Sequence, residues 1–214
     1  PQPAAVMAAP VDVSGANKYN PEIIPQLEDY VRQQVEHQSF DMDANVTLLR
    51  FYCVYPERTN LSVVSMILVK ALMQLPESHF KTAMYLIPEK VQSLDAFVQL
   101  QELATRLEMG DFPAFWELSE NCKEQIAVPG FEEAVRTYAV LLLSLGHRKI
   151  TLTTLGESLR LEGAPLSAYV STLCEKHGWK TADNDDQMFI LPATAFNAPE
   201  QRSYSGDVVG PELW

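Results

Sequence analysis

Four histidines and three cysteines are the residues of this chain best suited to metal or nucleophilic chemistry, and their spacing supports neither. His37, His79, His147 and His177 share no H-E-x-x-H or comparable spacing with acidic or sulfur neighbours, the arrangement that places two ligands on one helix face. Cys53, Cys122 and Cys174 are far apart, odd in number and without a C-x-x-C pair, so they read as reduced thiols packing as small hydrophobes. No G-x-S-x-G elbow, P-loop or G-x-G-x-x-G phosphate cradle occurs. The expectation is no catalytic residue, no metal, no cofactor and no small-molecule substrate, leaving a site assembled from distant residues as the one catalytic alternative. The chain reads as a binding protein rather than an enzyme.

Two groups of residues can carry such binding. Arg148 and Lys149, with Arg160, Lys176 and Lys180, are the best case for nucleic acid, and Arg148, Lys149 and Lys176 are the candidate weak RNA contacts. Against them stand a formal net charge of −12 and a pI near 4.7, because phosphate backbones are bound largely by Lys and Arg that displace counterions. The segment 165–177 carries one Lys and none of the Arg, Asn or Gln that read base edges. The second group is the β-prone run Met188, Phe189, Ile190 and Leu191, the candidate protein interface, since a small sheet exposes edge groups that a partner strand can occupy. The competing reading is that Phe189 and Leu191 pack on their own module's helices. Phe112, Phe115 and Trp116 fall at helical spacing, which favours burial over docking, and Trp214 is a candidate anchor for a short linear motif.

The elements that must position these residues are mostly helices. Ile24, Leu27, Val31 and Val35 recur at three and four residue spacing after Asn20-Pro21, a cap followed by a proline suited to a first turn. Further helices are expected from Asp41 to before Pro56, from the cap Asn60 to near Pro76, from Ser78 to Pro88, from Ser93 to a left-handed cap at Gly110, and from the cap Asp111 toward Pro129-Gly130. Short loops and facing apolar stripes make these antiparallel neighbours in a helical-repeat-like stack without a strict sequence period. From Phe131 the order changes to helix, short strand at His147-Arg148-Lys149-Ile150, a helix capped by Thr151, a helix from Pro165 ended by Gly178, and a hairpin over 179–191. That is the order of a winged helix.

The fold class is therefore mainly α: a helical-repeat-like bundle followed by a winged helix with a small antiparallel sheet. The expected division is a mobile arm over 1–17, a helical domain over 18–130, the winged helix over 131–191, and a disordered tail rich in Pro, Ser, Gly and Ala over 192–214. No apolar run approaches the roughly 20 residues that span a bilayer, and the start lacks the positive and apolar regions of a secretory signal. The cytoplasm is the expected compartment, with the nucleus second.

The residues also carry a family likeness. Tyr19-Asn20-Pro21-Glu22, Leu27-Glu28 with Tyr30-Val31, Asp43-Ala44-Asn45 with Leu49, Tyr52 and Pro56, and Lys70-Ala71-Leu72 with Leu75-Pro76 and Phe80 resemble the k-subunit family of eukaryotic translation initiation factor three. Phe112 with Ala114-Phe115-Trp116, Gly130-Phe131-Glu132 with Val135-Arg136, and Gly178-Trp179 with Gln187, Phe189 and Ile190 continue the likeness in order, from Tyr19 to Leu191. The resemblance implies a helical HEAT-analogous domain joined to a winged helix, in a non-catalytic scaffold subunit that helps its complex act on the small ribosomal subunit, with other subunits of that complex as partners and the l subunit as the nearest. Related scaffold subunits of the proteasome lid and the signalosome are the alternative, and a direct RNA-binding module is a second.

Overall fold

The structure, a computed structural model, describes residue 11 and residues 13–182 and 185–198; for Ala16, Asp185 and Asp186 the backbone alone is described. The rest of the expected arm and tail, Trp214 included, lies outside the described residues. Two compact units are present: one holds the described residues up to Val140 together with Gly156–Leu161, the other Leu141–Leu155 and the described residues from Glu162 onward.

The first unit opens with two 3-10 turns, Gly15–Tyr19 and Pro21–Ile23. It continues through α1 (Ile24–Glu36), α2 (Met42–Val54), α3 (Leu61–Leu72), α4 (His79–Tyr85), α5 (Glu89–Gln92), α6 (Asp95–Met109), α7 (Phe112–Asn121) and the first turns of α8 (Phe131–Gly146). The starts follow from their caps. Asp41 accepts the Ala44 N–H at 3.0 Å, Asn60 those of Ser62 and Val63 at 3.2 and 3.4 Å, and Asp111 that of Ala114 at 3.4 Å, each satisfying donors that a first helical turn leaves unpaired. Gly110 ends α6 in the left-handed region at φ 72°, where a Cβ would be strained.

Two expected helix starts move: the helix expected from Pro165 begins at Gly163, and the one expected from Ser93 begins at Asp95. Ser93 does not open a helix: it closes the short α5, its hydroxyl donating to the Glu89 carbonyl at 2.8 Å, and α6 begins at Asp95 with Leu94 in the cap position. A serine hydroxyl serves a carbonyl one turn back as readily as an amide ahead, and spacing alone does not distinguish the two.

α3 is the centre of this unit, packing against α1, α2, α4 and α6. Val63, Val64, Ile67, Leu68, Val69, Ala71 and Leu72 are all buried, as expected of a helix that is apolar nearly all round. Around it, polar ties fix α1 on α2. The Gln34 and Asn45 side chains exchange hydrogen bonds at 2.9 and 3.2 Å, and Gln34 Oε1 also accepts the Asp41 N–H at 2.9 Å, so these buried amides have partners. The Tyr52 hydroxyl donates to Glu28 Oε1 at 2.6 Å; burial, and then that carboxylate, push its pKa far above the ordinary tyrosine range.

Lys70 interrupts the apolar content of α3 and is only 2% exposed, with no ion pair among the described residues. Burial holds its ammonium below the usual lysine range, because desolvation disfavours the charged form.

The second unit contains the end of α8, β1 (Lys149–Thr151), the first half of α9 (Leu152–Leu159), α10 (Gly163–His177), β2 (Lys180–Ala182) and β3 (Asp185–Ile190). Thr151 Oγ1 accepts the Thr154 N–H at 3.2 Å, the expected cap of α9, and Gly178 ends α10 at φ 68°. The three strands form one antiparallel sheet in the order β1-β3-β2. With the helices before it, this makes the winged helix that the sequence order specifies. Residues 192–198, at the head of the expected tail, form a hydrogen-bonded turn. The Asn197 amide donates to the carbonyls of Ser144, His147 and Pro192 at 2.9–3.1 Å, and its oxygen accepts the Thr194 N–H at 2.8 Å.

Replacing Lys70 by Met should stabilise the protein at neutral pH by about 1 kcal/mol or more, since an apolar side chain of similar length has no charge to desolvate. A lysine with a lowered folded pKa costs stability while the unfolded chain holds the proton, and that cost vanishes as pH rises through the unfolded value of about 10.4. Urea unfolding of both proteins should show the Met advantage shrinking over that alkaline range; a pH-independent advantage would mean the ammonium is not the cause.

Candidate protein-docking surface

The sheet of the second unit gathers most of the residues that the sequence singles out for binding. Register pairs Lys149 with Ile190, Ile150 with Phe189 and Thr151 with Met188 on one side of β3, and Lys180 with Ile190 and Thr181 with Phe189 on the other. Directly opposed residues in an antiparallel pair share a face. One face therefore carries the row Lys149, Ile190, Lys180 with Thr151 and Met188, and the other carries Ile150 and Phe189 with the exposed Thr181 of the edge strand. Burial divides accordingly: Ile150 and Phe189 are buried, as is Leu191 just beyond the strand, whereas Met188 and Ile190 are half-buried and both lysines exposed.

This divides the expected interface of Met188, Phe189, Ile190 and Leu191. Phe189 and Leu191 belong to the core, the competing reading of that face. β3 is moreover the middle strand, with hydrogen-bonding partners on both sides, so its own backbone offers no open edge. The open edges are β1 and β2, each three residues long. What faces outward is the half-buried pair Met188 and Ile190, flanked by Lys149 and Lys180.

The basic cluster also separates. Arg148 is engaged with the chain itself: its Nη1 donates to the Leu191 carbonyl at 2.6 Å while its own carbonyl accepts the Leu191 N–H at 3.0 Å. Arg160 ends α9 at φ 52° in the helical unit and pairs there with Glu120. Lys149 and Lys180 remain on the outer sheet face, and Lys176 is exposed on α10. Lys180 gains weight from the register, which no local sequence spacing announces.

The aromatic run resolves toward the core. Phe112, Phe115 and Trp116 are buried, with Phe115 edge-on to Trp116 at 5.0 Å and near Phe131 at 6.3 Å. Trp116 Nε1 donates to the Ser158 carbonyl at 2.9 Å, and the Arg136 guanidinium lies 5.7 Å from its ring while donating to the Leu159 carbonyl at 3.1 Å. These bonds hold the Gly156–Leu161 segment in the first unit. Among the described residues no group of three or more His, Cys, Asp or Glu could hold a metal ion, and no helix is long and apolar enough to cross a membrane.

A helical-repeat-like body with a small wing in which a central strand is paired on both sides defines a class of winged-helix subunits. Comparison with known proteins places the chain within that class. The model of the CSN8/PSMD8/EIF3K family matches residues 58–199. The chain is 31% identical over 196 residues to a Caenorhabditis elegans protein named eukaryotic translation initiation factor 3 subunit K, covering 83% of this chain and 80% of that one. It is 32% identical over 180 residues to the Homo sapiens protein of the same name, with 83% and 80% covered, and 32% identical over 174 residues to that of Nematostella vectensis, with 80% and 79% covered. The chain belongs to the CSN8/PSMD8/EIF3K family, on the side of its initiation factor 3 k subunits.

The division of the sheet can be tested by substitution. Phe189→Ala should lower stability by about 3 kcal/mol or more through loss of a buried ring. Ile190→Asp and Met188→Asp should change stability far less and weaken association with a partner subunit. Thermal unfolding and pull-down on the same variants would separate these effects, and equal destabilisation by all three would place both faces in the core.

Proposed function

We propose that this chain is a non-catalytic scaffold subunit of eukaryotic translation initiation factor 3, acting with the other subunits of that complex, most directly the l subunit, on the small ribosomal subunit during initiation. The observation that carries the reading is likeness across about four fifths of the chain to proteins named as subunit K of that factor. The architecture supports it: two units of packed helices and a small sheet present faces and edges suited to holding neighbours. In this reading the helical domain runs over 18–130 and the winged helix over 131–191. The protein works in the cytoplasm, with the nucleus as a second compartment.

Docking is assigned to the outer face of the sheet and its short edges. A partner strand laid along β1 or β2 would satisfy backbone groups there and set side chains against Met188 and Ile190. Lys149 and Lys180 would favour an acidic partner, setting specificity and encounter rate more than affinity. Affinity purification of the tagged chain from cell extract should recover the other initiation factor subunits and the small ribosomal subunit. Recovery of proteasome-lid or signalosome subunits in their place would overturn the assignment.

RNA contact is proposed as an auxiliary role for Lys149 and Lys176, with Arg148 contributing little because its guanidinium is already bound to Leu191. Few phosphate contacts imply a shallow salt dependence, each contact adding about 0.7 to the log–log slope for a single strand. A salt series with the purified chain should give weak binding with a slope of about 2 or less; no binding at the lowest salt would remove this role.

A further inference from the structure

We propose that a groove in the helical unit, formed by the first 3-10 turn, the end of α2 and the end of α4, docks a short acidic peptide of a partner protein through one large apolar anchor side chain. The groove has a volume of about 550 Å³ and apolar walls from Phe51, Val54, Tyr55 and Leu86, within the range that holds a ligand side chain and its neighbours. Two large side chains of its lining stand in solvent, Tyr19 at 82% exposed and Val54 at 67%. Such a concentration marks a contact surface more often than scattered exposed residues do.

Charge decides the occupant. Lys18 and Arg50 line the groove and, among the described residues, no carboxylate does, in a chain whose formal charge is −12. Two acidic side chains, Asp41 and Asp43, line an adjoining cleft that shares Lys18, Thr47 and Arg50. Asp41 is occupied there by the Ala44 N–H and the Tyr30 hydroxyl. The wall itself is braced: the Arg58 guanidinium lies 5.8 Å from the Tyr55 ring and donates to the Pro21 carbonyl at 3.3 Å. A braced aromatic wall beside two cations fits a ligand that joins an aromatic or aliphatic anchor to carboxylates, the pairing of tyrosine and arginine common at energetic centres of interfaces. Cys53, an exposed thiol in the same lining, reports on occupancy.

This inference rests on the reading of the chain as a binding subunit. Its test uses the purified full chain and synthetic peptides, so its failure would leave the co-purification result standing. A fluorescein-labelled peptide with a Trp-Leu pair flanked by Glu and Asp should bind saturably in an anisotropy titration, weaken as salt is raised, and slow alkylation of Cys53. The same peptide with Lys in place of its acidic residues should not bind. Arg50→Glu and Val54→Asp, both at exposed positions, should each weaken binding about tenfold or more without moving the unfolding temperature. Equal binding of the Lys peptide, unchanged affinity in both folded variants, unchanged Cys53 alkylation at saturation, or displacement of the peptide by an RNA oligomer would each overturn the proposal.

Discussion

Burial of α3 is the constraint on which the helical unit depends. A helix of twelve residues that exposes only Leu61 and Ser62, at its start, must be enclosed by neighbours over the rest of its length. Each fully buried Leu, Ile or Val there contributes about 1.5–3 kcal/mol, which offsets the entropy of ordering the loops that bring α1, α2, α4 and α6 around it. The polar ties between α1 and α2, Gln34 with Asn45 and Tyr52 with Glu28, then select one register among several that apolar contact alone would tolerate. Lys70 is the exception within α3, and the packing carries it at a desolvation cost.

In the winged unit the corresponding constraint is the position of β3. Because β1 and β2 pair with opposite sides of it, the buried Ile150 and Phe189 are fixed on one face and the Lys149, Ile190, Lys180 row on the other. Arg148 closes the exit of the strand by gripping Leu191 through side chain and backbone, and Asn197 ties the following turn to the end of α8. A residue that looks like a ligand contact in the sequence is thus part of the frame, and Lys149 and Lys180 are the exposed cations left on the outer face. In both units the exposed groups with binding potential are faces, edges and a groove, shapes that suit holding other macromolecules.

Much of this was legible in the sequence because the relevant physics is local. Asn60, Asp41, Asp111 and Thr151 cap the helices they precede, and Gly110 and Gly178 take the left-handed conformation where the periodic apolar pattern stops. Helical spacing also separated the buried Phe112, Phe115 and Trp116 from surface candidates. What stayed hidden depends on contacts far apart in the chain. Strands of three residues carry no alternation long enough to reveal that β3 is central, so the division of Met188 to Leu191 between core and surface required the pairing itself. The engagement of Arg148 with Leu191, 43 residues away, and of Trp116 with Ser158, 42 residues away, leaves no trace in spacing. α5 was missed because a single helical turn between Pro88 and Ser93 has no periodicity to detect.

In the proposed function this chain offers the sheet of its second unit to a neighbouring subunit while α3 remains an inert core. Amide hydrogen exchange measured on the free chain and on the chain within the purified complex tests it most directly. The account predicts that amides of Lys149–Thr151 and Lys180–Ala182 gain protection in the complex while those of Leu61–Leu72 stay equally protected in both. Strand amides that exchange at the same rate in the two states, with new protection confined to the helices, would contradict it.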